Sequence, residues 1–158
     1  MHQRFVTSAH PAQRMPQTIA ACLLLLISST LLHFEVLGLL NSRLPGLQVP
    51  DRFKVLVVIM GAFLAHAVEM LMYGATLYAL VTWLAAGSLA GSAGASWLSC
   101  LYFSAETYTS LGFGDLTPVG PVRLLAGTEA LNGLLLVAWS ASFTYLSMER
   151  FWRPDKTR

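Results

Sequence analysis

Polar and apolar positions alternate along the chain in long blocks, not in short periods. Residues 17–40, running from Gln17 through Cys22 and Ile27 to Leu40, are almost wholly apolar. At about 1.5 Å per residue they are long enough to cross a ~30 Å hydrocarbon core, which predicts a transmembrane helix. Ahead of them, residues 1–16 carry His2, Arg4, His10, Pro11, Arg14 and Pro16 and read as a polar tail. A secretory signal peptide is the alternative for 17–40, since basic residues precede an apolar run. The run outlasts a signal peptide, however, and no small-x-small site closely follows Ile27, so a span is expected. His33 and Glu35 interrupt it near its far end and are expected to snorkel toward the interface.

Residues 41–52 break the apolar pattern with Pro45, Gly46 and Pro50 and carry Arg43 and Arg52, with Lys54 just beyond; this is a loop. Residues 53–86 then form an apolar segment that would be about 51 Å long as one helix, so it either tilts or begins along the cytoplasmic surface. Gly87 to Ala95, mostly small and wholly uncharged, reads as a flexible exposed linker. Residues 97–108 are too short to span and suit a re-entrant helix. Irregular backbone such as 109–118 is tolerated at membrane depth only where protein buries it or it lines a water-filled path. Residues 116–121 lead the chain back out, 122–148 form the last span, and 149–158 make a tail with four basic residues. The fold expected is an all-α membrane protein.

Composition agrees: 55% of the 158 residues are hydrophobic and 11% charged, against ~25% charged in soluble domains. A net charge of +2, with no basic cluster interleaved with aromatics, excludes a nucleic-acid partner. Cys22 and Cys100 lie in apolar surroundings without a CxxC pair, and are expected to be free buried thiols. No nucleophile, base and oxyanion donor gather around a pocket, so neither an enzyme, a cofactor nor a small-molecule substrate is expected. Residues 87–122 contain no Lys or Arg, whereas the 41–54 loop has three and the C-terminal tail four. The latter two should be cytoplasmic, with 109–118 facing outside in a plasma or bacterial inner membrane. Three spans put the N-terminus outside as well; two spans would remain if 17–40 lay on the membrane.

Within this frame Thr109-Ser-Leu-Gly-Phe-Gly-Asp115 stands out. Its two glycines let the backbone adopt conformations that a side chain forbids, so successive carbonyls can face one axis and replace the hydration shell of K⁺. Ser104-Ala-Glu-Thr-Tyr-Thr-Ser-Leu-Gly-Phe-Gly-Asp-Leu-Thr-Pro118 resembles the pore loop of the potassium-channel superfamily, and the likeness continues to about Tyr145. The resemblance implies an outer helix 53–86, a pore helix 97–108, a selectivity filter 109–115 and an inner helix 122–148, with 17–40 as an extra helix. It also implies a homotetramer in the lipid bilayer, with one loop per chain and K⁺ as the permeant ion. The carbonyls of Ser110, Leu111, Gly112 and Phe113 and the Ser110 hydroxyl would make the ion sites, with Gly114 following. Ser, Leu and Phe replace the family's Thr, Val and Tyr; none of these changes removes a carbonyl.

By the same resemblance Glu106 pairs with Asp115 behind the filter and shares a proton with it. Tyr102 and Phe103 stand where relatives often carry two Trp, so Tyr102 can donate to Asp115 while Phe103 can meet Phe113 only through apolar contact. With Thr109 these residues form the filter's support. On the inner helix Gly133 is read as a hinge or as a close-packing site. Leu134, Val137, Ala141 and Tyr145 share one lining face. Glu129 and Asn132 fall off that face and are expected to bond to the outer or re-entrant helix. His66 and Glu69, three apart on one face, are read as a structural polar pair with partners such as Ser140 or Thr144, ahead of a proton sensor, and no transition-metal site is expected. No helix carries the repeated arginines of a voltage sensor, so regulation is expected from the membrane, protons, ions or an unlinked partner. The function expected is passive, K⁺-selective conduction. A less selective cation channel of the same fold and a non-conducting membrane sensor subunit are the alternatives.

Overall fold

The computed structural model describes residues 11–91 and 94–152. Residues 1–10 and 153–158 of the two expected tails, and Ser92 and Ala93 of the expected linker, lie outside the described residues. Four helices, α1 (Pro11–Arg43), α2 (Asp51–Thr82), α3 (Trp97–Tyr108) and α4 (Val122–Trp152), are joined by short connections. Helices α1, α2 and α4 are each long and apolar enough to cross a membrane.

Helix α1 starts earlier than the sequence suggests, so residues 11–16 are helical and not part of a tail. Pro16 falls inside it, but so near its start that the hydrogen bond lost there belongs to the first turns. Thr18, Cys22, Leu25, Ser29, His33 and Leu37 are buried, and their spacing of three or four residues places them on one stripe. Leu23, Leu24, Ile27, Leu31 and Phe34 are exposed. The more polar face of this helix is thus turned inward and the larger apolar residues outward, as suits a helix with lipid on one side.

Helix α2 begins directly after Pro50, with Asp51 in its first turn near the positive end of the helix dipole. Asp51 pairs with Lys54 at 2.9 Å, and the Lys54 ammonium also sits over the Phe151 ring, 5.2 Å from its centre. This corner ties the start of α2 to the end of α4. The expected outer helix 53–86 is therefore shifted to 51–82, because the amides of Leu84 and Ala86 turn back onto the carbonyls of Ala79 and Leu80 and Ala85 takes φ +46°. Helix α4 runs four residues past the expected end at Met148.

Part of the glycine-rich segment after α2, where a flexible linker was expected, is a strand. Strand β1 (Ser88–Gly91) pairs antiparallel with β2 (Leu116–Val119), with Ser88 opposite Val119 and Gly91 opposite Leu116. Its glycines serve close approach: a Cβ on Gly87 would meet the Val119 carbonyl oxygen, and one on Gly91 would lie 2.6 Å from the Leu116 side chain. Both have strongly positive φ, +146° and +150°, where only glycine is at ease. The fold is mostly helical, as expected, with this small ribbon at one end.

The 12-residue helix α3 lies between α2 and α4, and α1 packs against both of the same long helices. At Gly74, a Cβ would lie 3.1 Å from the backbone of Leu101, so glycine lets α3 approach α2 closely. The core joins Cys22 and Leu25 of α1, Tyr73 and Leu77 of α2, Cys100 and Phe103 of α3, and Leu125 of α4. Cys22 and Cys100 are both free.

Candidate ion pathway

Helix α3 opens with a cap, Ser96 accepting from the Ser99 amide, and closes with a defined turn. The Leu111 amide donates to the Glu106 carbonyl at 2.8 Å and the Ser110 amide to the Thr107 carbonyl at 3.0 Å. These two bonds form a Schellman ending, whose residue after the cap adopts the left-handed conformation. Here that residue is Ser110, at φ +57°. The left-handed conformation recurs at Gly112 (φ +53°) and Gly114 (φ +79°), while Leu111 and Phe113 keep negative φ. Alternation of left- and right-handed residues turns successive carbonyls toward one side of the strand. A Cβ on either glycine would meet nothing within 4 Å, so these glycines answer to conformation and not to crowding. Residues 109–115 are all exposed within one chain.

Two carboxylates hold the segment from behind, each through its own partner. Glu106, buried, accepts from the Phe113 amide at 3.2 Å, and the Tyr102 hydroxyl donates to Asp115 at 3.3 Å. Tyr102 thus braces the outer end of the segment through Asp115, and Glu106 braces its middle through the Phe113 amide. The Thr109 hydroxyl turns back to the Ala105 carbonyl at 2.7 Å. Phe103 is buried in the core while Phe113 is 66% exposed.

On α4, Leu134, Val137, Ala141 and Tyr145 are exposed along one face. Gly133 is not on that face: it is buried, and a Cβ there would run into the Tyr108 carbonyl oxygen and lie 3.0 Å from the Tyr108 ring. Between the hinge and packing readings, the observed contact is close packing of α4 against the end of α3, and α4 is continuous through it. Glu129 and Asn132 are buried. Glu129 is bonded to the Ser104 hydroxyl of α3, and Asn132 donates to Ser29 of α1 at 2.8 Å and to Tyr73 of α2 at 3.2 Å. The Ser104 hydroxyl also donates to the Met70 carbonyl at 2.7 Å. One hydroxyl proton cannot serve both acceptors, so the set closes when the Glu129 carboxyl supplies its own proton to Ser104.

A second polar cluster joins all four helices. Glu69, fully buried, accepts from the Tyr108 hydroxyl and lies 2.9 Å from His33 Nδ1 and 3.1 Å from His66 Nδ1. His66 Nδ1 is also 2.9 Å from the Tyr108 hydroxyl, and His33 Nε2 is 3.1 Å from the Ser140 hydroxyl. The expected His66–Glu69 pair is thus formed, but its partners are corrected. Ser140 serves His33, while His66 turns to Tyr108. His33 itself is 0% exposed and does not snorkel, whereas Glu35 is exposed.

Tyr108, Ser104, Ser29 and Tyr73 are site residues that the sequence reading gave no role, and His33 is one that it placed at the interface. For Ser29 and His33 a signal existed: they continue the stripe of Thr18, Cys22 and Leu25, and the weakly polar stripe of a spanning helix is the one that seeks protein. Tyr108 carried no such signal, because its partners lie 39 and 42 positions away in sequence.

Comparison with known proteins gives the family. The sequence model of a family described as "Ion channel" matches residues 55–149, which is α2 from its first turn through nearly all of α4. The chain belongs to this ion channel family, and its matched part is a pore module of the potassium-channel superfamily. Over 60 residues, 37% of the chain, it is 40% identical to the inward rectifier potassium channel Kirbac3.1 of Paramagnetospirillum magnetotacticum. The matched stretch spans 19% of that relative's length. No solved structure matches the chain. Helix α1 lies outside the matched residues.

Proposed function

We propose that four copies of the chain assemble around an axis into a K⁺-selective channel, with residues 109–115 as the filter and α4 lining the cavity beneath it. The observation that carries this reading is the segment after α3: alternating left-handed residues at 110, 112 and 114, exposed in one chain and braced from behind by Glu106 and Asp115. A single strand of carbonyls cannot surround an ion, and four related by rotation can. The exposed face of Leu134, Val137, Ala141 and Tyr145 would then line the cavity. The C-terminal end of α3 aims its partial negative charge at the inner end of the filter, where it favours a cation. The relative's name, inward rectifier potassium channel, supports K⁺ as the ion.

In this reading the 41–54 loop and the C-terminal tail face the cytoplasm, the pore loop faces outside, and α1 crosses the membrane on the periphery. Flux is passive, with no bond chemistry and no cofactor beyond the permeant ion.

Filter occupancy is testable without measuring flux. The purified chain in detergent should run as a tetramer, and K⁺ should raise its melting temperature over equimolar Na⁺, since an ion bound only by the assembled state stabilises it by mass action. Gly112→Ala, which forces a side chain onto φ +53°, should abolish the K⁺ effect. A monomeric chain, or equal melting in K⁺ and Na⁺, contradicts the reading.

A further inference from the structure

We propose that His33, His66 and Glu69, joined by the Tyr108 oxygen, bind one divalent transition-metal ion of the zinc class, which fastens α1 to the pore module. The three ligand atoms, one from each of His33, His66 and Glu69, all lie within 4.8 Å of one another. The His66–Glu69 pair legible in the sequence offers two ligands at most. His33, arriving from a helix outside the family match, makes a third.

Three features of the cluster favour a metal over a simple hydrogen-bonded set. Both imidazoles turn the same nitrogen, Nδ1, to the one carboxylate. Their ring centres are 5.1 Å apart, and two imidazoles held tetrahedrally at ~2.0–2.1 Å from zinc have centres ~5 Å apart. His33 Nε2 meets the Ser140 hydroxyl at 3.1 Å, the kind of outer hydrogen bond that orients a metal-bound imidazole.

Charge points the same way. Glu69 is fully buried, and its partners are two imidazoles and a phenol, with no Lys or Arg among them. Buried carboxylates are paired with cations or coordinate metals. A donor set of nitrogen and oxygen, without sulfur, suits zinc, cobalt or nickel better than a soft monovalent ion. His66 is the entry side, its side chain 15% exposed while those of His33 and Glu69 are closed off.

The test uses the full chain, purified without a histidine tag, stripped with a chelator and titrated with Co²⁺ and then Zn²⁺. We expect one ion per chain, a tetrahedral Co²⁺ spectrum, and binding at least ~10-fold weaker in His33→Gln and in His66→Gln. A His2→Gln/His10→Gln double variant should bind as the parent does. No uptake, uptake unchanged in His33→Gln and His66→Gln, or uptake lost in the double variant overturns the proposal. X-ray absorption at the zinc edge of the unmutated protein decides the matter if the variants fail to fold. Two imidazoles with oxygen support the site, and sulfur or fewer imidazoles refute it. None of these readouts depends on ion flux, so failure here leaves the channel reading standing, and a non-conducting protein leaves this test valid.

Discussion

Ser110 shows how one residue serves two structures. As the left-handed residue that ends α3, it occupies a position usually held by glycine. As the first ion-coordinating residue of the proposed filter it brings a hydroxyl that glycine lacks. Gly133 shows the reverse case, a residue whose value is an absent side chain. Gly133→Ala would press a methyl group onto the Tyr108 carbonyl, and overpacking of this kind costs about 1–3 kcal/mol. We expect a lower melting temperature of the detergent-solubilised assembly. A hinge role would instead change channel opening and leave the melting temperature unmoved. Glu129 gives a contrasting expectation. Because the hydrogen bonds around Ser104 close with a proton on this carboxyl, Glu129→Gln supplies an equivalent donor and should alter stability by less than ~1 kcal/mol. A loss of several kcal/mol would show that a charged carboxylate is required there.

At the scale of elements, the ribbon between β1 and β2 is the sharpest lesson. Gly91→Ala would place a methyl against the Asp115 carbonyl and 2.6 Å from the Leu116 side chain, forcing β1 away from β2. We expect reduced thermal stability and faster cleavage of residues 87–95 by an added protease; a truly flexible linker would tolerate the change. Helix α3 occupies residues 97–108, the short apolar stretch set off in the sequence by the small-residue segment before it and the Gly-x-Gly segment after it. The sequence made the long helices legible in kind but not in their ends, since α2 stops inside an uninterrupted apolar run. The ribbon was illegible because each strand is four residues long and its partner lies beyond α3. The partners of His33 were illegible for a related reason: its place on the inward stripe of α1 signals burial, but Glu69 and Ser140 stand on other helices, far away in sequence.

At the scale of the whole molecule, a family pore module carries one further helix. Among the described residues, the polar links that hold helix α1 to it include Ser29 to Asn132, His33 to Glu69, and His33 to Ser140. Its outer face remains apolar and exposed, as do Leu111, Phe113, Leu134 and Tyr145. The first surface suits lipid, and the second suits other copies of the chain around a pore. Reversal potentials after reconstitution into planar bilayers test this account most directly. With K⁺ on one side and Na⁺ on the other, the current should reverse near the K⁺ equilibrium potential, and Gly112→Ala should shift it toward zero or abolish it. Current that reverses at the same potential whichever of the two ions is graded, or no current from correctly assembled protein, would contradict the account.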